Sequence, residues 1–376
     1  MSEARIIWFY LQMIFRPDNA LLGLYHDDFI ISRSLLAPLT TLFAILGIIG
    51  LITLAFWQRK NAPIMAFGIL FFLVGHSLES SIIPLELIFE HRNYLPSAGL
   101  FIALIYYLVV APTRRRLRYC TIASAILFIV ICASNTAFRA QDWANPTTMI
   151  MAEVKHHPNS PRANFAAANV LAGTILNTVD SKEKETLYPL ARHFFTQSVN
   201  LNREAAFGLL GLIILDLHMD KPVEQRLLDD LKYRLEHVRY SAYNFGTGVL
   251  YHLIRIHLSG EQKLPPKELL SITNAALRNQ TLDKYTQAGI NAGLRSYHLM
   301  VLNDPKLALK HGYEAIKARP QNVQYRISLI RILLNMGEIN QARQQLHLTR
   351  EADRNQLYTQ QTQALEREIE RVLQAE

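Results

Sequence analysis

Only 2 cysteines occur among the 376 residues, Cys120 and Cys132, and both fall in or beside one apolar run. The long polar region beyond them has none to oxidise, so no disulfide framework is available and cysteine usage says nothing of the redox compartment. The N-terminus lacks a basic start followed by an apolar core and a small-residue cleavage site, and no cleavable secretory signal is expected. The 13 histidines are scattered. Neither His156-His157 nor the pair His252 and His257 falls into a Cys/His or His/Glu spacing of a known zinc ligand set, so these residues read as solvated or capping, with no metal and no cofactor expected.

What the chain has is hydrophobic residues, at 50% of the total, concentrated in its first third. Four runs approach the roughly 20 apolar residues needed to cross a hydrocarbon core: Ala37 to Trp57, Ile64 to Ile83, Leu95 to Ala111 and Thr121 to Phe138. The third is short and is expected to begin inside the interface. Arg59 and Lys60 follow the first run, while Arg114, Arg115, Arg116 and Arg118 follow the third, which makes both loops cytoplasmic by the positive-inside rule. The other connections, the N-terminal segment and everything after Ala140 then lie on the far side. That predicts a multi-pass bacterial inner-membrane protein with a periplasmic carboxy-terminal domain. Part of the net charge of +8 is this arginine cluster, so the basic balance is no argument for a nucleic-acid partner.

Ahead of the first run, Arg5 to Arg16 is apolar and aromatic, too short to span and fenced by arginines, which predicts an interfacial helix. Pro17-Asp18-Asn19 ends it, and a loop carrying Tyr25-His26-Asp27-Asp28-Phe29 follows. An external N-tail with no upstream span suggests the downstream part of a larger membrane protein, or a chain that works beside one. The expected organisation is an interfacial helix and external loop over 1–36, four membrane helices over 37–138 and a helical-repeat domain over 142–376.

From Asp142 the pattern turns to amphipathic helices between short polar turns. Ala308, in Asp304-Pro-Lys-Leu-Ala, and Ala342, in Gly337-Glu-Ile-Asn-Gln-Ala, lie one tetratricopeptide period of about 34 residues apart. Such small residues let paired helices approach, Gly337 marks a turn between helices, and Pro320 breaks the chain between repeats. Weaker copies are suspected at Pro161 to Leu176 with Tyr188 to Leu201, and from Ala205 to Leu217. Lys263-Leu-Pro265-Pro266 marks an irregular turn, and Glu366 to Gln374 fits a solvent-facing closing helix. The predicted fold is therefore all-α, a four-helix transmembrane region followed by an α-solenoid of degenerate repeats. The expected job of that solenoid is to hold a protein or peptide partner in its groove.

In and just beyond the second apolar run stands a string of ionisable and polar residues. His76 and Glu79 share a helix face, as do Glu86 and Glu90, and His91, Arg92, Asn93 and Tyr94 follow directly. Ionisable groups in lipid are costly and read as a functional site. Arg92 is close enough in sequence to pair with Glu90 or to hold an anionic group, and its planar fork suits phosphate. Two readings stand side by side: these eight residues bind the phosphate of a lipid-linked donor, or they form an ion-pair network locking the loop to neighbouring helices. No catalytic residue is assigned.

The string Glu90-His-Arg-Asn-Tyr-Leu-Pro-Ser97, in an external loop and followed by a tetratricopeptide region, resembles the later part of bacterial membrane glycosyltransferases of the GT-C type. It is also similar to the arrangement in eukaryotic transmembrane O-mannosyltransferases with tetratricopeptide repeats. Arg16-Pro-Asp and His26-Asp-Asp-Phe are similar to what precedes these spans in the bacterial proteins. The resemblance implies transfer of a sugar from a polyprenyl-phosphate donor to a hydroxyl on protein, outside the membrane. Family members place an acidic general base in their first external loop. Here that loop and its preceding helices are missing, and Asp27 and Asp28 match a later position, so whether the chain is an enzyme stays open. Two alternatives remain: a non-enzymatic repeat scaffold for cell-envelope or pilus assembly, and an O-antigen ligase or polymerase-like protein.

Overall fold

The computed structural model describes residues 1–16, 18–77, 87–259 and 264–375, and every regular element among them is helical. The chain divides into two compact units, Met1–Val170 and Leu171–Glu376.

The first unit contains α1 (Ser2–Phe15), α2 (Thr40–Gln58), α3 (Pro63–Ser77), α4 (Tyr94–Ile105), α5 (Arg115–Asp142) and α6 (Pro146–His156). Helix α7 (Pro161–Asn177) begins in it and runs into the second. Among the described residues, three stretches are long and apolar enough to cross a membrane: Thr40–Gln58, Glu90–Val110 and Arg115–Asp142. The third predicted run is thus longer than its apolar core. A 3-10 turn over Glu90–Asn93 leads into α4, and a π-helical turn over Tyr106–Val110 extends it, giving 21 residues of continuous helix. Of the second predicted run, residues 64–77 lie in the 15-residue α3, and positions 78–83 lie outside the described residues.

Small residues set the α3–α4 contact. A Cβ placed on Gly68 would stand 2.7 Å from the Gly99 carbonyl oxygen and 2.9 Å from the Ala103 Cβ, so these backbones approach as only glycine permits. In α1, Ile6, Tyr10 and Ile14 recur at helical spacing and are buried with Phe72 and Ile88, so the apolar stripe of the predicted interfacial helix meets protein. Trp8 adds a hydrogen bond from its indole N–H to the Ala44 carbonyl, 3.0 Å away. Helix α5 has no buried residue along its length, and its outward Ile126, Ile129 and Val130 fit a lipid surround. The hydroxyls of Ser124, Ser134 and Thr136 donate to carbonyls four residues back, which satisfies these three groups within the helix.

The second unit stacks α8 (Ser181–Leu201), α9 (Phe207–His218), α10 (Gln225–His237), α11 (Thr247–Leu258), α12 (Pro266–Arg278), α13 (Lys284–Met300), α14 (Pro305–Ala318), α15 (Val323–Asn335), α16 (Ile339–Ala352) and α17 (Thr359–Ala375). Packing runs between helices one or two places apart in the chain: α8 on α9, α13 on α14 and α15 on α16 are adjacent pairs, whereas α10 packs on α12 and α11 on α13, as a solenoid of stacked helices allows. Starts are set locally: Asp180, Asp283, Asp304 and Asn322 accept first-turn amides, and Pro266 and Pro305 fill first-turn positions. The apolar run from Phe207 to Leu217 is buried all round as α9, at the centre of a core shared with α10 to α13. A second core joins α14 to α17. Ala308 and Ala342 hold equivalent, fully buried places in α14 and α16, and Gly337 supplies a φ of +77° at the α15–α16 turn. On α17, Leu365 and Ile369 face inward, and exposed Glu366 pairs with Arg350 of α16 at 2.5 Å.

Candidate functional site

The polar residues around the start of α4 form two layers. The inner layer is a buried lock. His76, in the last turn of α3, lies parallel to the Tyr10 ring with centroids 4.7 Å apart, and its Nε2 is 3.3 Å from Asn93 Oδ1. The Asn93 amide donates to the Tyr10 carbonyl at 3.0 Å, while the Tyr10 hydroxyl accepts the Phe89 backbone N–H at 3.1 Å. With Asn93 accepting, the Nε2-protonated tautomer of His76 completes the network. Three segments distant in sequence are thereby tied around one tyrosine.

The outer layer contains Glu90, His91, Arg92 and Tyr94. Sequence proximity offers Arg92 as the cation for Glu90; the structure supplies Arg139, near the end of α5, at 2.7 Å. Arg139 also lies over the Trp143 ring at 4.9 Å, and its buried Nε has no hydrogen-bond partner among the described residues. The Arg92 guanidinium lies over Phe89 at 5.1 Å, and the Tyr94 side chain is 86% exposed. Glu79 and Glu86, the other two candidates, lie outside the described residues.

Beside this outer layer opens a cleft of about 480 Å³. Glu90, His91, Asn93, Tyr94 and Arg139 line its polar side, and Phe101 and Phe128 contribute to its apolar wall. His76 is not part of its lining. A carboxylate–guanidinium pair beside an aromatic wall suits a ligand with an anionic, hydroxylated head and an apolar tail. Sequence reasoning missed Arg139 because it lies 49 residues from Glu90. The only signal was a lone basic residue at the end of the last apolar run.

A second cluster joins the loop after α1 to α6 and the start of α7. His157 Nδ1 is 3.1 Å from Asp28 Oδ2, the Tyr25 N–H donates to Glu153 Oε1 at 2.9 Å, and Asp27 accepts the Ser160 hydroxyl and, at 3.2 Å, the Arg162 N–H. His157 thus caps the C-terminus of α6, the capping role expected for it, but it is buried and paired with Asp28 and not solvated. Burial alone would lower its pKa, but the Asp28 hydrogen bond and charge outweigh that and raise it above 6.5. Asp28 is pushed up by burial and drawn further down by His157, to below 3.8. Burial, then the His157 charge, lowers His26 to about 4, while burial raises Asp27 against the Ser160 hydrogen bond.

The signs then decide the pH response. The His157 contribution is complete below pH 6.5 and is lost as pH rises through its raised value. His26 opposes folding progressively as pH falls from 6.5 towards about 4. Asp28 is lost only below 3.8, and Asp27 gains a little on acidification. Hydrogen-exchange protection of the Tyr25 amide, corrected for intrinsic rate, should peak near pH 6.5 and fall towards both about pH 9 and about pH 4.5. A steady rise on acidification across that range would contradict the assignment.

A tetratricopeptide-repeat family model matches residues 300–365, the stretch that holds α14, α15, α16 and the first turns of α17. No curated protein matches the chain. Repeats of this kind generally mediate protein–protein interaction, which supports a protein partner.

Proposed function

We propose that the chain is the membrane-anchored, partner-holding portion of a lipid-linked sugar transferase of the GT-C type, with its repeats presenting a protein acceptor. In this reading the protein is a multi-pass component of a bacterial inner membrane. It comprises an interfacial helix and loop over 1–36, four membrane helices over 37–138 and repeats over 142–376, with the solenoid in the periplasm, a side supported by the basic residues Arg59, Lys60 and Arg114 to Arg118. The observation that carries the reading is the cleft beside α4, where four of the candidate residues, Glu90, His91, Asn93 and Tyr94, converge with Arg139 on an apolar wall. The cleft would take the phosphate-bearing head of a polyprenyl-linked sugar, leaving the catalytic base to come from elsewhere.

A scaffold is the second reading, favoured by a specific fact. Glu90 is already paired with Arg139, and His76 with Asn93, so the cluster can serve as a lock between helices without any ligand. Titration of the purified full chain with a short-chain polyprenyl phosphate separates the two. Tyr94→Ala, at an exposed position, should weaken binding about tenfold, roughly 1.4 kcal/mol, with an unchanged unfolding temperature. No detectable binding by the parent chain, with capture of a protein partner retained, would leave the scaffold.

A further inference from the structure

A cleft of about 610 Å³ in the second unit is lined by α8, α9 and α10 and the ends that join them. Val199, Leu212 and Leu227 supply its apolar lining, and four arginines contribute to it with unequal commitments. Arg234 is buried and fully used, donating to the Asn202 and Ala205 carbonyls at 3.0 and 2.8 Å and to Asp230 at 2.9 Å. Arg192 is held by Glu224 at 3.0 Å and Asp216 at 3.4 Å. Arg203 and Arg226 are exposed, and among the described residues neither has an ion-pair or hydrogen-bond partner. Beside them Tyr233 is 62% exposed, its ring backed by His237 at a centroid distance of 4.6 Å.

We infer that this cleft receives an extended acidic segment of the partner protein, with Arg203 and Arg226 binding its carboxylates and Tyr233 covering an apolar side chain between them. The inference rests on the reading that the repeats hold a protein partner, and it adds the chemistry and the place. Guanidinium forks free of internal partners match carboxylates, and the apolar lining rewards a ligand that is not charge alone. Glu224 and Asp230 share the same lining and would repel a uniform polyanion, which favours a peptide of mixed character over nucleic acid.

The test uses the full chain in nanodiscs of zwitterionic lipid and fluorescence anisotropy with four probes. These are a ten-residue peptide alternating Glu and Leu, its Gln counterpart, its Lys counterpart and a short oligothymidylate. The acidic peptide should bind, and R203E/R226E should weaken it at least tenfold while leaving the helical circular dichroism spectrum intact. Raising salt to about 0.5 M should weaken it as well. Acidic-peptide binding that survives the charge reversal overturns the proposal, as does reversal-sensitive binding of the oligothymidylate alone. Binding of the Gln or Lys peptide alone, untouched by the reversal, leaves the partner reading standing and removes this cleft from it; binding of no probe removes both.

Discussion

Arg139→Gln should cost the first unit about 2–4 kcal/mol, somewhat below the 3–5 kcal/mol typical when one partner of a fully buried pair is removed. The discount reflects exposure: the two side chains of the Glu90–Arg139 pair are 24% and 25% accessible. Most of the loss comes from the Glu90 carboxylate left without its cation at an apolar boundary. Glu90→Gln should therefore destabilise less, and the double variant should recover part of the Arg139→Gln deficit. Thermal unfolding of all four proteins in one detergent measures the coupling. Strictly additive losses would show that the pair does not hold α5 to the start of α4.

Gly68→Ile should be comparably damaging, at roughly 3 kcal/mol, the upper part of the usual range for overpacking. The reason is geometric, since the nearest atom to the added Cβ is the Gly99 backbone carbonyl, which cannot rotate away like a side chain. α3 and α4 must separate, and α4 carries Asn93 and its hydrogen bond to α1 with it. Gly50→Ala in α2 is the internal control. Nothing lies within 4 Å of its added Cβ, so its unfolding temperature should barely move. Equal shifts at the two positions would mean that helix propensity, and not the α3–α4 approach, sets the cost.

The fold class was legible because its signals are local and periodic. Apolar runs and the recurrence joining Ala308 to Ala342 need no knowledge of distant residues, and the structure is helical where they fall. The extra turn over Glu90–Asn93 at the start of α4 escaped notice because polar residues mask a helix that tertiary partners stabilise. The site was legible only as a segment. Glu90, His91, Asn93 and Tyr94 reach one cleft, but the choice of Arg139 for Glu90, of Tyr10 for His76 and of His157 for Asp28 is made by packing across long sequence separations. Sequence periodicity carries no information on such pairings, and His157 in particular has the same local pattern as a solvated histidine.

The cluster around His157 also bears on the order in which the chain becomes structured. Asp28 and His157 are 129 positions apart, and the apolar helices α2 to α5 lie between them. During synthesis, which proceeds N-terminus first at about 5–20 residues per second, the loop at Tyr25 to Asp28 has no counterpart until Arg162 has been made. Closing so long a loop by direct encounter is slow, whereas helices already packed bring its ends near each other at little further entropic cost. The contact is thus a late one, formed after the intervening helices have assembled and reporting that they have.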